Sequence, residues 1–121
     1  MPATILVIDD SDPERGLIRK LLEAEGYSVI EAASGGEGLA LFREKKPDLV
    51  LCDLMLPDRS GFETLHAIRA VNLSARMVAV SGTLSGVGDH EVMVKRLNLA
   101  GVVEKPFRPG QLLEVVRKAL V

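Results

Sequence analysis

With 121 residues, 15 basic and 17 acidic side chains and a formal net charge of −2, the chain reads as one domain, residues 1–121, able to bury about two-thirds of its unfolded surface. The charges are scattered without a basic stripe, which argues against direct nucleic-acid binding, and neither a membrane-length apolar run nor a signal peptide is present, so a soluble, cytoplasmic protein is expected. Cys52 is the single cysteine, which excludes an intramolecular disulfide, and with no tryptophan the core must be built mainly from Leu, Val, Ile and Ala.

Thr4-Ile5-Leu6-Val7-Ile8 is a β-branched apolar run that ends at Asp9-Asp10, the pattern of a buried first strand. Ser11-Asp12-Pro13-Glu14 predicts a helix start with Asp12 as cap and Pro13 at the first helical position. Leu17, Ile18, Leu21 and Leu22 are its expected apolar face and Gly26 its end. Tyr27 to Ala32 predicts a second strand. Ser34 and Glu37 have capping-box spacing for a helix running to about Lys45, with Leu39, Ala40 and Phe42 inward. Leu49 to Cys52 is a continuous apolar run, as in a strand buried on both faces, and it carries Asp53 to its carboxyl end; Pro57 and Gly61 close the turn that follows.

Ser60 and Glu63 repeat the capping-box spacing, and Phe62, Leu65 and Ile68 set the face of a third helix. Met77 to Val80 predicts a fourth strand ending at Ser81-Gly82. Thr83 to Asp89, loosened by Gly86 and Gly88, is expected to be mobile ahead of a weakly amphipathic helix with Val92, Met93 and Leu97. Gly101 to Glu104 is a short fifth strand leading into Lys105-Pro106. Leu112, Leu113, Val116 and Leu120 mark a last helix.

Five strand-then-helix units imply a parallel sheet covered on both faces, an α/β three-layer sandwich with the flavodoxin-like strand order 2-1-3-4-5. That order brings Asp9, Asp10 and Asp53 to the crevice between strands 1 and 3. Three carboxylates within about 5 Å repel by roughly 3 kcal/mol per pair at an effective dielectric near 20. Either one carboxyl is protonated or a divalent cation sits among them, and hard oxygen donors suit Mg²⁺ rather than zinc. His66 and His90 fall away from the strand ends and read as surface or packing residues, and Cys52 as core. Ser81 and Lys105 end strands 4 and 5 at the same crevice. A nucleophilic carboxylate, an acidic pair, a hydroxyl and a cation together suit phosphoryl transfer.

Asp9-Asp10, Asp53 in Asp-Leu-Met-Leu-Pro-Asp-Arg-Ser-Gly, Ser81 and Lys105-Pro106-Phe107 resemble, in order and over essentially the whole chain, the receiver domain of bacterial two-component response regulators. The resemblance implies that Asp53 is the phosphoacceptor, served by a histidine kinase or histidine phosphotransfer protein. It further implies that Asp9, Asp10, Asp53 and the Met55 backbone carbonyl hold Mg²⁺, that Ser81 and Lys105 engage the phosphoryl group, and that the Lys105-Pro106 bond is cis. Such a domain is a signalling phosphoacceptor rather than an enzyme. It answers to a downstream output protein or domain through the face of helix 4, strand 5 and helix 5, and can form a homodimer there on phosphorylation. One position departs from the family pattern. Val102 stands where Tyr or Phe is usual, and it lacks the ring whose rotation couples site to surface. Met55 and Thr83 occupy the positions that tune phosphoryl lifetime.

Three other readings share parts of this pattern. A phosphorylation-independent interaction module is opposed by the intact acidic, hydroxyl and lysine set. A flavodoxin-like redox carrier needs a phosphate-cradling loop where Asp9-Asp10-Ser11-Asp12 would repel one. A haloacid-dehalogenase-type phosphatase matches Asp10-Ser11-Asp12 in spacing but not Pro13 or a second site at Asp53.

Overall fold

Side chains alternate across a strand with a period of two, so a strand buried on both sides must supply two cores at once. The computed structural model describes residues 2–58, 60–82, 92 and 94–121. In chain order it has β1 (Thr4–Ile8), α1 (Asp12–Ala24), β2 (Ser28–Ala32), α2 (Gly35–Lys45), β3 (Leu49–Asp53), α3 (Gly61–Val71), β4 (Met77–Ser81) and β5 (Gly101–Glu104). Residues 94–97 are helical and are labelled α4, which makes the C-terminal helix, Pro109–Leu120, α5. Every strand pairing is parallel, and the order is β2-β1-β3-β4-β5, as the crossover lengths predict.

One parity of the strands, Leu6, Ile8, Val50, Cys52, Met77 and Ala79, packs against Phe42 of α2, Leu65 and Ile68 of α3 and Leu97 of α4. The other, Ile5, Val7, Leu49, Leu51, Val78, Val80 and Val103, meets Ile18 and Leu22 of α1 and Leu112, Val116 and Ala119 of α5. Each of the Leu, Ile, Val, Met and Phe side chains contributes about 1.5–3 kcal/mol by leaving water, and β3 and β4 are buried along their whole length. Among the described residues no helix is long and apolar enough to cross a membrane.

Three apolar residues expected to face inward do not. Leu17 is half exposed and Phe62 over a third exposed, and Ala40 is exposed. On α2 the inward stripe is Gly35, Gly38 and Phe42, and two residues beyond Gly38 the helix has turned about 200°. Ile18 and Leu22 define the stripe on α1, and Gly61, Thr64, Leu65 and Ile68 that on α3, so Leu17 and Phe62 lie beside these stripes. The first helix is capped by Ser11, one residue earlier than expected, because the Ser11 Oγ accepts from the Glu14 N–H. Tyr27 precedes β2 because its N–H is spent on the Leu22 carbonyl at the end of α1. The expected mobile stretch from Thr83 to Asp89, His90 and Met93 lie outside the described residues.

Candidate functional site

The same alternation that builds the core aims the site. Asp9 continues the parity of Ile5 and Val7, Asp53 that of Leu49 and Leu51, and Lys105 that of Val103, so all three belong to the sheet face covered by α1 and α5. Backbone bonds fix the chain at each of these strand ends. The Asp9 N–H donates to the Ala32 carbonyl at 3.0 Å, the Leu54 N–H to the Val80 carbonyl at 3.0 Å and the Lys105 N–H to the Ser81 carbonyl at 2.7 Å.

The turn after Asp53 is folded back on the strand end. The Met55 N–H donates to the Asp53 Oδ1 at 2.9 Å, and Met55 pairs with Ser60 in an isolated antiparallel bridge. Ser60 caps α3 by accepting from the Glu63 N–H. Gly61 opens α3 directly against the acceptor strand. A Cβ there would run into the Asp53 carbonyl oxygen and the Leu54 Cα, so only glycine allows this approach. Asp58, in the same turn, reaches across to α2, where its two carboxylate oxygens accept from the Gly35 and Gly36 N–H groups at 2.9 and 2.8 Å. An anion on free amides at a helix N-terminus is the favourable polarity.

Asp9, Asp10 and Asp53 present carboxylate oxygens that lie within 4.8 Å of one another. Asp9 is 1% and Asp53 5% exposed, whereas Asp10 is open to solvent. Asp53 is well served: Oδ1 has the Met55 amide and Oδ2 the Lys105 ammonium at 2.7 Å. Asp9 is not. Its Oδ1 accepts from the Ser11 N–H at 2.9 Å, but its buried Oδ2 has no hydrogen-bond partner. Burial therefore pushes the Asp9 carboxyl up to about 7, helped by the facing Glu14 carboxylate and by Asp53, against the Ser11 N–H. An orphaned buried oxygen beside two further hard oxygen donors fits a divalent cation of the Mg²⁺ type.

Glu14, which the sequence reading used only to start a helix, joins this group. Its Oε2 accepts from the Lys105 Nζ at 2.5 Å. Burial alone would raise the Glu14 carboxyl, but its neighbours Asp9 and Lys105 bring it below the ordinary glutamate value. Burial likewise would lower Lys105, and its bonds to Asp53 and Glu14 outweigh that and hold it above the ordinary lysine value. The signal for Glu14 was in the sequence: it stands four residues before Ile18, so it puts a charge on the stripe that faces the sheet. Arg15 was also missed. It donates to the Asp9 carbonyl at 2.7 Å, to Glu31 at 3.0 Å and to Asp12 at 2.6 Å, which ties the acidic loop to β2.

Of the predicted site residues, the structure brings Asp9, Asp10, Asp53 and Lys105 into one cluster and sets Met55 against Asp53. Ser81 is buried at the end of β4, next to β3, and among the described residues no hydrogen bond joins its hydroxyl to the carboxylates. The Lys105-Pro106 bond is cis, as expected. His66 is exposed, and Cys52 is a buried free thiol whose pKa is pushed far up by burial and then by Asp53 and Asp9.

A family model for the response regulator receiver domain matches residues 5–117. The protein PilH of Pseudomonas aeruginosa is 34% identical over 121 residues, which cover 98% of this chain and 98% of PilH. The phosphate regulon transcriptional regulatory protein PhoB of the same organism is 32% identical over 97% of this chain, and the chain spans only 51% of PhoB. Among solved structures, a CheY-like response regulator receiver domain protein from Methanospirillum hungatei superposes with a TM-score of 0.91 at 31% identity, covering 99% of this chain and 94% of that one.

Proposed function

The chain belongs to the response regulator receiver domain family of two-component systems, and from that premise we propose that it is a phosphoacceptor signalling domain, residues 1–121, with Asp53 as the acceptor. The observation that carries this reading is the setting of Asp53: a carboxylate only 5% exposed, steadied at one oxygen by an amide and at the other by an ammonium, in a cluster of three carboxylates. A carboxylate oxygen attacks the phosphorus of a phosphohistidine on a histidine kinase or phosphotransfer protein. The new P–O bond makes an acyl phosphate as the P–N bond breaks, and the bonding pair stays with the imidazole, which takes up a proton. The domain accepts one phosphoryl group per molecule and is not a turnover enzyme.

Asp9, Asp10, Asp53 and the Met55 carbonyl are the residues that would hold Mg²⁺, which when bound offsets carboxylate and phosphoryl charge. Lys105 pairs with the phosphoryl oxygens, and Ser81, at the end of the adjacent strand, is the hydroxyl assigned to them. The added group carries about −1.5 to −2 charge, enough to bias a two-state equilibrium of the domain. The output partner then reads the face of α4, β5 and α5, through which phosphorylated copies also dimerise. The setting is cytoplasmic, without nucleic-acid or membrane contact of the domain's own.

A second reading, a receiver-like module that binds its partner without phosphorylation, is favoured by one observation. Val102 is half-buried against the core on the α2, α3 and α4 side and has no ring to rotate. Intact-protein mass spectrometry after incubation with acetyl phosphate separates the two. The phosphoacceptor reading expects one Mg²⁺-dependent phosphoryl adduct on wild type, lost with chelator and in Asp53→Asn. No adduct on a folded wild-type protein, or an adduct retained in Asp53→Asn, would remove Asp53 from its role.

A further inference from the structure

Lys105 has two carboxylate partners where phosphoryl binding needs it free. Its Nζ lies 2.7 Å from Asp53 Oδ2 and 2.5 Å from Glu14 Oε2. The two partners are not equivalent. Asp53 ends a buried strand and its side chain is 6% exposed, whereas Glu14 projects from the first turn of α1 and its side chain is 23% exposed, close to the 20% of Lys105 itself. Glu14 is the partner able to swing into water.

We propose that Glu14 is a built-in competitor for Lys105: its carboxylate occupies the ammonium in the resting site, must leave for a phosphoryl group on Asp53 to pair with Lys105, and thereby sets how tightly that group is held. The inference deepens the phosphoacceptor reading and rests on it. One ammonium already faces two carboxylates, so a phosphoryl group with about two further negative charges is not neutralised by Lys105 unless Glu14 withdraws. Nothing about α1 requires a carboxylate at this position. The helix is capped by the Ser11 hydroxyl, and Asp12 supplies a second acidic side chain to its first turn. Glu14 also sits on the sheet-facing stripe with Ile18, where an apolar residue would serve packing better. Its charge is thus spent on the site. Glu14 acts through Lys105 and is a positioning residue.

The test uses beryllium fluoride as a phosphoryl mimic, titrated at Mg²⁺ concentrations saturating for each variant and followed by ¹⁹F NMR, since the chain has no tryptophan to report binding. Wild type, Glu14→Gln, Glu14→Ala and Asp12→Asn are compared. Asp12→Asn removes a charge from the same helical turn, but from a side chain that is 83% exposed and pairs with Arg15. Both Glu14 variants should bind the mimic about fivefold more tightly than wild type, through slower release, with Asp12→Asn near wild type. Thermal melts without the mimic establish that each variant is folded. Equal or weaker binding by both Glu14 variants overturns the competitor role. An equal gain in Asp12→Asn also overturns it, because the effect would then be one of net charge. If wild type binds no beryllium fluoride and takes no adduct from acetyl phosphate, the phosphoacceptor reading itself falls, and this inference with it. If wild type does either, only the role of Glu14 is at stake.

Discussion

Two clusters of charge flank the start of α1, and they are built on opposite plans. On the β2 side, Glu31 is met by two guanidinium groups, Arg15 Nε at 3.0 Å and Arg19 at 2.5 Å, and Arg19 also pairs with Glu23 along the helix. On the β3 side, Asp9, Asp10, Asp53 and Glu14 have one ammonium among them in the described structure, that of Lys105. The pKa directions follow. Arg19 first, against the opposing pull of burial, and then Arg15 hold Glu31 below the ordinary glutamate range, while burial and its acidic neighbours push Asp9 up to about 7. The same residue types are balanced for stability in one place and left short of cation in the other. A charge deficit of this kind is what the proposed Mg²⁺ site would offset.

The contrast is broken most strongly by Asp9→Asn. Removing a buried carboxylate whose Oδ2 has no partner, and replacing it with an amide that can donate to Glu14, should stabilise the metal-free protein by about 2 kcal/mol. If the proposed Mg²⁺ site holds, Mg²⁺ should further stabilise wild type and the substitution should abolish that gain. Urea melts with Mg²⁺ and with chelator read both effects; a destabilised metal-free variant would mean that Asp9 is a structural residue. Arg15→Ala tests the residue shared by both clusters. Its side chain is 15% exposed, and its loss should cost about 1–2 kcal/mol, because the Asp9 carbonyl and Glu31 both lose a charged donor. Mg²⁺ affinity should fall as well, since the acidic loop loses its tie to β2, and calorimetric titration with Mg²⁺ checks this. Asp58→Ala frees two amides at the start of α2 and should cost about 1 kcal/mol in the same melts.

How much of this was legible follows from which signals are periodic. Strands, their order and the placing of Asp9, Asp53, Ser81 and Lys105 came from short apolar runs with a polar residue at the end, a pattern that one reading of the chain resolves. Leu17, Ala40 and Phe62 were misplaced because apolar character alone does not say which side of a stripe a residue occupies. For Ala40 the deciding residue was Gly38, buried against Ile8, with no side chain to announce it. Glu14, Arg15 and Asp58 were missed for another reason. Their partners lie just past β5, on β2 and on α2, and the spacing within a local segment carries no trace of a contact that only the assembled sheet creates. Glu14 alone left a mark, as a charge on an apolar stripe.

The smallest effect belongs to the balanced cluster. The folded pKa of Glu31 lies below its ordinary value of 4.5, so the folded state holds that carboxylate ionised at pH values where the unfolded chain protonates it. Its contribution is complete above about pH 4.5 and is lost as the pH falls through the depressed folded value. Because these ion pairs are partly open to water, Glu31→Gln should cost no more than about 1 kcal/mol near pH 7. Near pH 3 the difference from wild type should shrink, leaving the variant with a flatter acid limb in urea melts. Phosphoryl uptake should be unchanged. Loss of uptake in Glu31→Gln, or a stability difference that grows as the pH falls, would show that the two clusters are one network and that Arg15 carries the charge state of one into the other.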